Sequence, residues 1–172
     1  NVPLLGKRLC FFVGSNYPPN NDAAEAIARM AKTCANNQRY QDLIFLVAGG
    51  CHPPVATANF FALGMIESAA LSACLAAADV VLIPLTRGTG VSLKSIEALA
   101  VGSLILSTSI GMRGLDVADG VHCRIGDNLE QFPALLVDML SDDAEIKRIR
   151  ASARKFGERF DFRTVMASYL PD

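Results

Sequence analysis

Val80-Val-Leu-Ile-Pro84-Leu-Thr-Arg-Gly-Thr-Gly90-Val-Ser-Leu-Lys94-Ser-Ile-Glu97-Ala-Leu-Ala-Val-Gly102 is the stretch on which the reading of this chain turns. Four apolar residues and a proline describe a short buried strand. A Gly-rich turn follows. From Val91 to Val101 the apolar positions take helical spacing, and Gly102 stops them. Strand, turn and helix in so few residues form one half of a βαβ unit.

The same alternation continues on both sides. Upstream, Leu9 to Gly14 reads as a first strand, and Ser15 to Asn21 is turn chemistry. Asn20 or Asn21 is expected to cap a helix reaching about Asn36, with Ala24, Ile27, Ala28 and Ala31 as its buried stripe. Leu43 to Ala48 is a second strand ended by Gly49-Gly50, 51–59 a polar loop, Phe60 to Ile66 a third strand, and Ala69 to Ala77 a helix. Downstream, Leu104 to Ser107 and Val121 to Ile125 are strands, and 129–140, 143–160 and 162–170 are helical. The expected fold class is α/β: a Rossmann-like, doubly wound parallel sheet of about six strands, forming one domain over 1–172.

Composition agrees. Of the 172 residues, 51% are hydrophobic and 19% charged, which suits a sheet covered on both faces. A net charge of −1 argues against a nucleic-acid partner. The five cysteines form no CxxC pair and His52 and His122 stand apart, so a reducing, cytoplasmic setting and no metal site are expected. No apolar run approaches the roughly 20 residues of a transmembrane helix. The start at Asn1 suggests a fragment of a longer enzyme.

In such a sheet ligands bind beyond the carboxyl ends of the strands. The turn 87–92 opens a helix, where free N–H groups favour an anion. Gly88 and Gly90 let backbone approach a phosphate, and Thr89 and Ser92 add hydroxyls. Lys94 is a cation near the positive end of a helix, a conflict that a bound phosphate relieves. Glu97 lies on the same helix face and can accept hydrogen bonds from a ribose diol. The same residues also fit a plain surface helix with a Lys–Glu pair.

Thr86 to Gly114 resembles the donor-binding signature of the group 1 (family 4) glycosyltransferases, whose two Rossmann-like domains make the GT-B fold. Glu97-Ala-Leu-Ala-Val-Gly102 matches its LEAMA-like helix; Phe12 to Asn20, Leu75 to Pro84 and Gly114 to Gly120 resemble its first loop, its ADVFVxPS-type strand and the segment before its last strand. The resemblance implies the C-terminal, donor-binding domain. The partners it implies are a UDP-, GDP- or ADP-sugar, which is a substrate and not a cofactor, and an N-terminal acceptor domain. Glu97 would hold the ribose. Lys94, Arg87, Thr89, Gly90 and Val91 would face the diphosphate, Gly14 and Asn16 would line it from the first loop, and the backbone near Met65 and Ile66 would meet the base.

The family often carries two glutamates eight apart; here the first place is Thr89, as in a subgroup with GGGTRLK-like turns. The Arg and Lys that many members carry after the first strand have no match in Asn16 to Asp22. The resemblance implies retaining glycosyl transfer. Two other readings stand beside it: a GT-B-fold nucleotide-sugar epimerase, and a non-catalytic sugar-nucleotide-binding or interaction module. A nicotinamide-binding domain is disfavoured because the first turn lacks GxGxxG.

Overall fold

Four consecutive apolar residues, Leu9 to Phe12, offer water no polar side, and the strand they form is buried between parallel neighbours on both edges. This is β1 (Arg8–Val13), in a computed structural model that describes residues 6–160. The chain runs from β1 through α1 (Pro18–Ala35) to β2 (Leu43–Ala48), then through β3 (Val55–Ala56) to β4 (Phe60–Ala62). It returns through α2 (Ser68–Ala77) to β5 (Val80–Ile83) on the other side of β1. It then continues through α3 (Leu93–Ala100) to β6 (Ile105–Ser107) and β7 (Arg124–Ile125), and ends in α4 (Phe132–Met139) and α5 (Asp143–Gly157).

The sheet order is β3-β4-β2-β1-β5-β6-β7. All pairs are parallel except β3 with β4. The winding therefore reverses between β1 and β5, and their outgoing loops diverge to leave a crevice. The doubly wound, Rossmann-like expectation holds, with seven strands in a mixed sheet.

Four local expectations are corrected. The segment 51–59 contains β3, an exposed two-residue edge strand antiparallel to β4, too short for periodicity to reveal. The third strand stops at Ala62, because Gly64 turns with φ +69 and takes Met65 and Ile66 into the next loop. Neither Asn20 nor Asn21 caps α1: Tyr17 is the N-cap residue, without a side-chain cap bond, and Pro18 and Pro19 open the helix. Proline suits that place because its φ is already helical and its missing N–H would have no intrahelical partner. The helix expected from Val91 begins at Leu93, with Ser92 at the cap. The helical reading of 162–170 lies outside the described residues.

The core contains Phe11, Phe12, Phe45, Leu82, Ile83 and Leu106, all nearly or wholly inaccessible. All five cysteines are free; four are buried and Cys74 is half-buried. Burial raises every one of their pKa values, so these thiols behave as small apolar side chains.

Helix α3 is held from behind by α5. Gly157 lies so close to it that a Cβ would stand 2.5 Å from the Ala100 backbone. Gly157→Ala should therefore force the two helices apart and cost about 1–3 kcal/mol. Urea unfolding at constant m-value measures the loss, and wild-type stability in the variant would contradict this packing.

Candidate functional site

The crevice between β1 and β5 opens into a cavity of about 350 Å³. One wall is the loop after β1 and the start of α1, with Gly14, Ser15, Tyr17, Pro19 and Asn20. The other is the loop after β5 and the start of α3, with Arg87, Thr89, Gly90, Val91, Lys94 and Glu97. Arg113, from the turn after β6, closes one side. Seven of the ten residues anticipated from sequence thus line one cavity.

The remaining three are set apart from it. Met65 is 81% exposed. Its sulfur and the Asn16 backbone both flank Gly50, whose Cβ position is 3.6 Å from Met65 Sδ and 3.3 Å from Asn16 N. Asn16 Oδ1 accepts from Asn21 Nδ2 at 3.0 Å. Ile66 is half-buried and packs on the core.

Glycines shape the two main loops for different reasons. At Gly14 a Cβ would meet Asn20 Cβ at 2.8 Å, and at Gly49 (φ +92) it would meet the Gly14 carbonyl oxygen at 2.1 Å. The backbones leaving β1 and β2 touch there, and no side chain fits. Gly90 (φ +75) has open space where a Cβ would be, and at Gly88 (φ +138) a Cβ would meet only Pro19, at 3.9 Å. Their glycines serve conformation, in a region that L-residues rarely adopt, and they leave the turn's backbone bare to a ligand.

The cations are held differently from one another. Arg87 Nε donates to Asp22 Oδ2 at 2.5 Å, so its charge is matched across the cavity mouth. Lys94 Nζ donates to Asn20 Oδ1 at 2.7 Å and lies 5.5 Å from the Phe12 ring centroid. Burial pushes the Lys94 ammonium below the ordinary lysine range, against smaller opposing pulls from Cys51 and Glu97. Asn20 is itself buried and donates to Ser15 O and Oγ at 3.2 and 3.3 Å. The residue expected to cap α1 instead joins the first loop to Lys94.

Ser92 Oγ, at the cap of α3 and in the lining of the same cavity, is buried without a hydrogen-bond partner among the described residues. Glu97, exposed one turn further along α3, faces the same cavity. A bare amide turn, a helix start, a partly desolvated lysine and a carboxylate can together bind an anionic group attached to a polyhydroxyl one.

Elsewhere, His52 Nδ1 and the Pro53 carbonyl are 2.7 Å apart, and the Ala118 N–H donates to His122 Nδ1. Among the described residues no His, Cys, Asp and Glu group could hold a metal ion. Asp142 accepts from the N–H groups of Ala144 and Glu145 and so caps α5. No described helix is long and apolar enough to cross a membrane.

Arg113, like Asn20, is a cavity residue whose place there sequence reading missed. Its Nη2 donates to the Gly88 carbonyl at 2.5 Å, with the Gly90 carbonyl at 3.4 Å. Nothing local in Ile110-Gly-Met-Arg-Gly114 signals a contact with a loop more than twenty residues upstream.

No curated protein matches the sequence. Solved structures match its fold. Anabaena HepE in complex with UDP is 14% identical with a TM-score of 0.75, over 96% of this chain and 48% of that one. Sucrose-phosphate synthase from Thermosynechococcus elongatus is 16% identical with a TM-score of 0.72, over 98% and 45%. The C-terminal domain of the group 1 glycosyl transferase LpcC from Francisella tularensis is 17% identical with a TM-score of 0.67, over 97% and 88%. The chain thus spans about half the length of HepE and of the synthase. The family model described as glycosyl transferases group 1 matches residues 7–142. With that match over most of its length, and the fold of half a GT-B enzyme, this chain belongs to the group 1 glycosyl transferases.

Proposed function

We propose that residues 1–172 are the C-terminal, donor-binding half of a two-domain group 1 (family 4) glycosyltransferase acting in the cytoplasm. The enzyme would take a glycosyl group from a UDP-, GDP- or ADP-sugar with retention at the anomeric carbon. The observation that carries this reading is the cavity at the β1–β5 switch point, where the Gly88–Gly90 turn, Lys94 and Glu97 meet. The fold match to HepE, a protein solved with UDP, supports it. So does the match to an isolated C-terminal domain of LpcC over nearly its whole length.

On this reading the amides of the Gly-rich turn and Lys94 hold the diphosphate, and Glu97 accepts hydrogen bonds from the ribose. Gly14 and Asn16 line the phosphates from the first loop, and the backbone near Met65 and Ile66 meets the base. The leaving group is a diphosphate, so the acid–base demand is modest. Rate acceleration then comes from positioning and from stabilising charge on the phosphates. The acceptor pocket, and any group acting on the acceptor, belong to an N-terminal domain. Apolar side chains at the cavity rim, among them Leu93 at 74% exposure, suit a face that such a domain covers.

Three outcomes follow. UDP, GDP or ADP should raise the melting temperature of the domain, since a ligand of the native state stabilises it. EDTA should leave that shift in place. Glu97→Ala should weaken the bound nucleotide by about 1.5–3 kcal/mol, the contribution of a hydrogen bond to a charged group. A domain that none of the three nucleotides stabilises, or a variant with intact fold and full affinity, counts against the assignment.

Lys94 makes the binding pH-dependent. Its pKa is lowered in the free protein, and a diphosphate beside it restores the charged form, so binding takes up a proton on the alkaline side. Affinity should fall as pH rises through the folded-state pKa of Lys94, and Lys94→Met should bind more weakly with a flatter profile. Calorimetry in buffers of different ionisation enthalpy reads the proton uptake. An equal slope in both proteins would remove Lys94 from the phosphate site.

The 172 residues alone should bind donor without transferring sugar at an enzyme's ordinary rate, because half a cleft cannot hold both substrates in one geometry. Rapid transfer to an added acceptor by this chain would disprove the division of labour.

A further inference from the structure

The turn after β6 is fastened to the β5–α3 connection at several points. Ser95 Oγ donates to the Gly111 carbonyl at 2.7 Å, and Thr108 Oγ1 donates to the Leu85 carbonyl and accepts from Gly111 N at 3.1 Å. Gly114 (φ +78) lies so close to Val91 that a Cβ would stand 2.7 Å from its Cγ2. From this platform the Arg113 guanidinium reaches the carbonyls of Gly88 and Gly90.

A trans peptide puts the N–H of each residue opposite the carbonyl before it. A guanidinium that draws the Gly88 carbonyl toward itself, with the Gly90 carbonyl at the edge of its reach, therefore turns the N–H groups of Thr89 and Val91 the other way. Gly88 and Gly90 have the conformational freedom that would otherwise let those two peptide planes rotate. Arg113 also brings charge. Among the described residues it makes no ion pair, whereas Arg87 is matched by Asp22.

We infer that Arg113 is the positioning residue for the anion-binding turn: it locks the Gly88–Gly90 peptides with their N–H groups presented to a diphosphate, and it leaves an unmatched positive charge at that wall of the cavity. The ligand class rests on the function proposed above; the locking of the turn does not. Both carbonyls are reached by one nitrogen, Nη2, at the end of a rigid planar guanidinium; a lysine ammonium on its flexible stem shares neither that reach nor that fixed orientation.

The test compares wild type, Arg113→Ala and Arg113→Lys in two measurements. Backbone N–H order parameters in the free protein, from nitrogen-15 relaxation, should fall at Thr89 and Val91 in Arg113→Ala, with residues 95–100 of α3 unchanged. UDP affinity, measured by calorimetry, should fall tenfold or more in the same variant. Uridine, followed by amide chemical shifts, should bind as it does to wild type. Arg113→Lys should recover only part of both effects. Unchanged order parameters at Thr89 and Val91 overturn the positioning role. Equal losses for UDP and uridine, or order parameters that fall along all of α3, would show a merely structural contact and overturn it too. Full recovery by lysine would reduce Arg113 to a point charge and overturn the role of the guanidinium. If wild type binds no UDP the proposed donor site fails, while the relaxation measurement still decides whether Arg113 locks the turn.

Discussion

Parallel pairing of β1 with β2 on one edge and β5 on the other is the constraint from which the site follows. Both neighbours run in the same direction as β1, so the carboxyl ends of all three lie on one rim of the sheet. The winding reverses at β1, so the loops leaving β1 and β5 cannot both cover the gap between them. The cavity is what the connectivity leaves open, and the helices that start beside it turn their N-termini toward it. The apolar run Leu9 to Val13 of β1 suits that central position, where both faces are covered.

Charge is then handled locally in a nearly neutral chain. Lys94 is the pivotal group. It sits where helix partial charge and burial both disfavour an ammonium, over an aromatic ring and with a neutral amide as its close partner. A carboxylate at 2.7 Å would quench it; Asn20 holds it in place and leaves the charge unspent. Arg87 shows the alternative, tied to Asp22 across the mouth and so less free to serve a ligand. On the proposed function the cavity has both a fastened cation and a ready one.

The Gly-rich turn is buttressed from two directions. The start of α1 approaches it through the Arg87–Asp22 and Lys94–Asn20 contacts, and the turn after β6 through Arg113 and the Val91–Gly114 packing. Glycines that would be flexible alone are thus held by neighbours from two other parts of the chain, one after β1 and one after β6. Preorganised backbone donors of this kind lose less entropy when a ligand arrives.

Much of this was legible in the sequence, because it is written in local signals. Apolar runs of four to six residues, helical spacing from Val91 and glycines at the ends of strands are properties of neighbouring residues, and they identified β1, β2, β5, α3 and the turn between 87 and 92. Resemblance to a family then placed Lys94 and Glu97 on the side of a nucleotide. What required the tertiary structure depends on residues far apart in the chain. Asn20 reads as a helix cap until Lys94, 74 residues away, is seen to take its side chain. Arg113 reads as an ordinary loop arginine until the Gly88 carbonyl comes within reach. The two residues of β3 have too little pattern to be noticed before β4 lies beside them. Periodicity and turn chemistry report on steric preferences within a few bonds; which loops meet at a sheet edge is decided by strand order, and no short stretch of sequence contains that order.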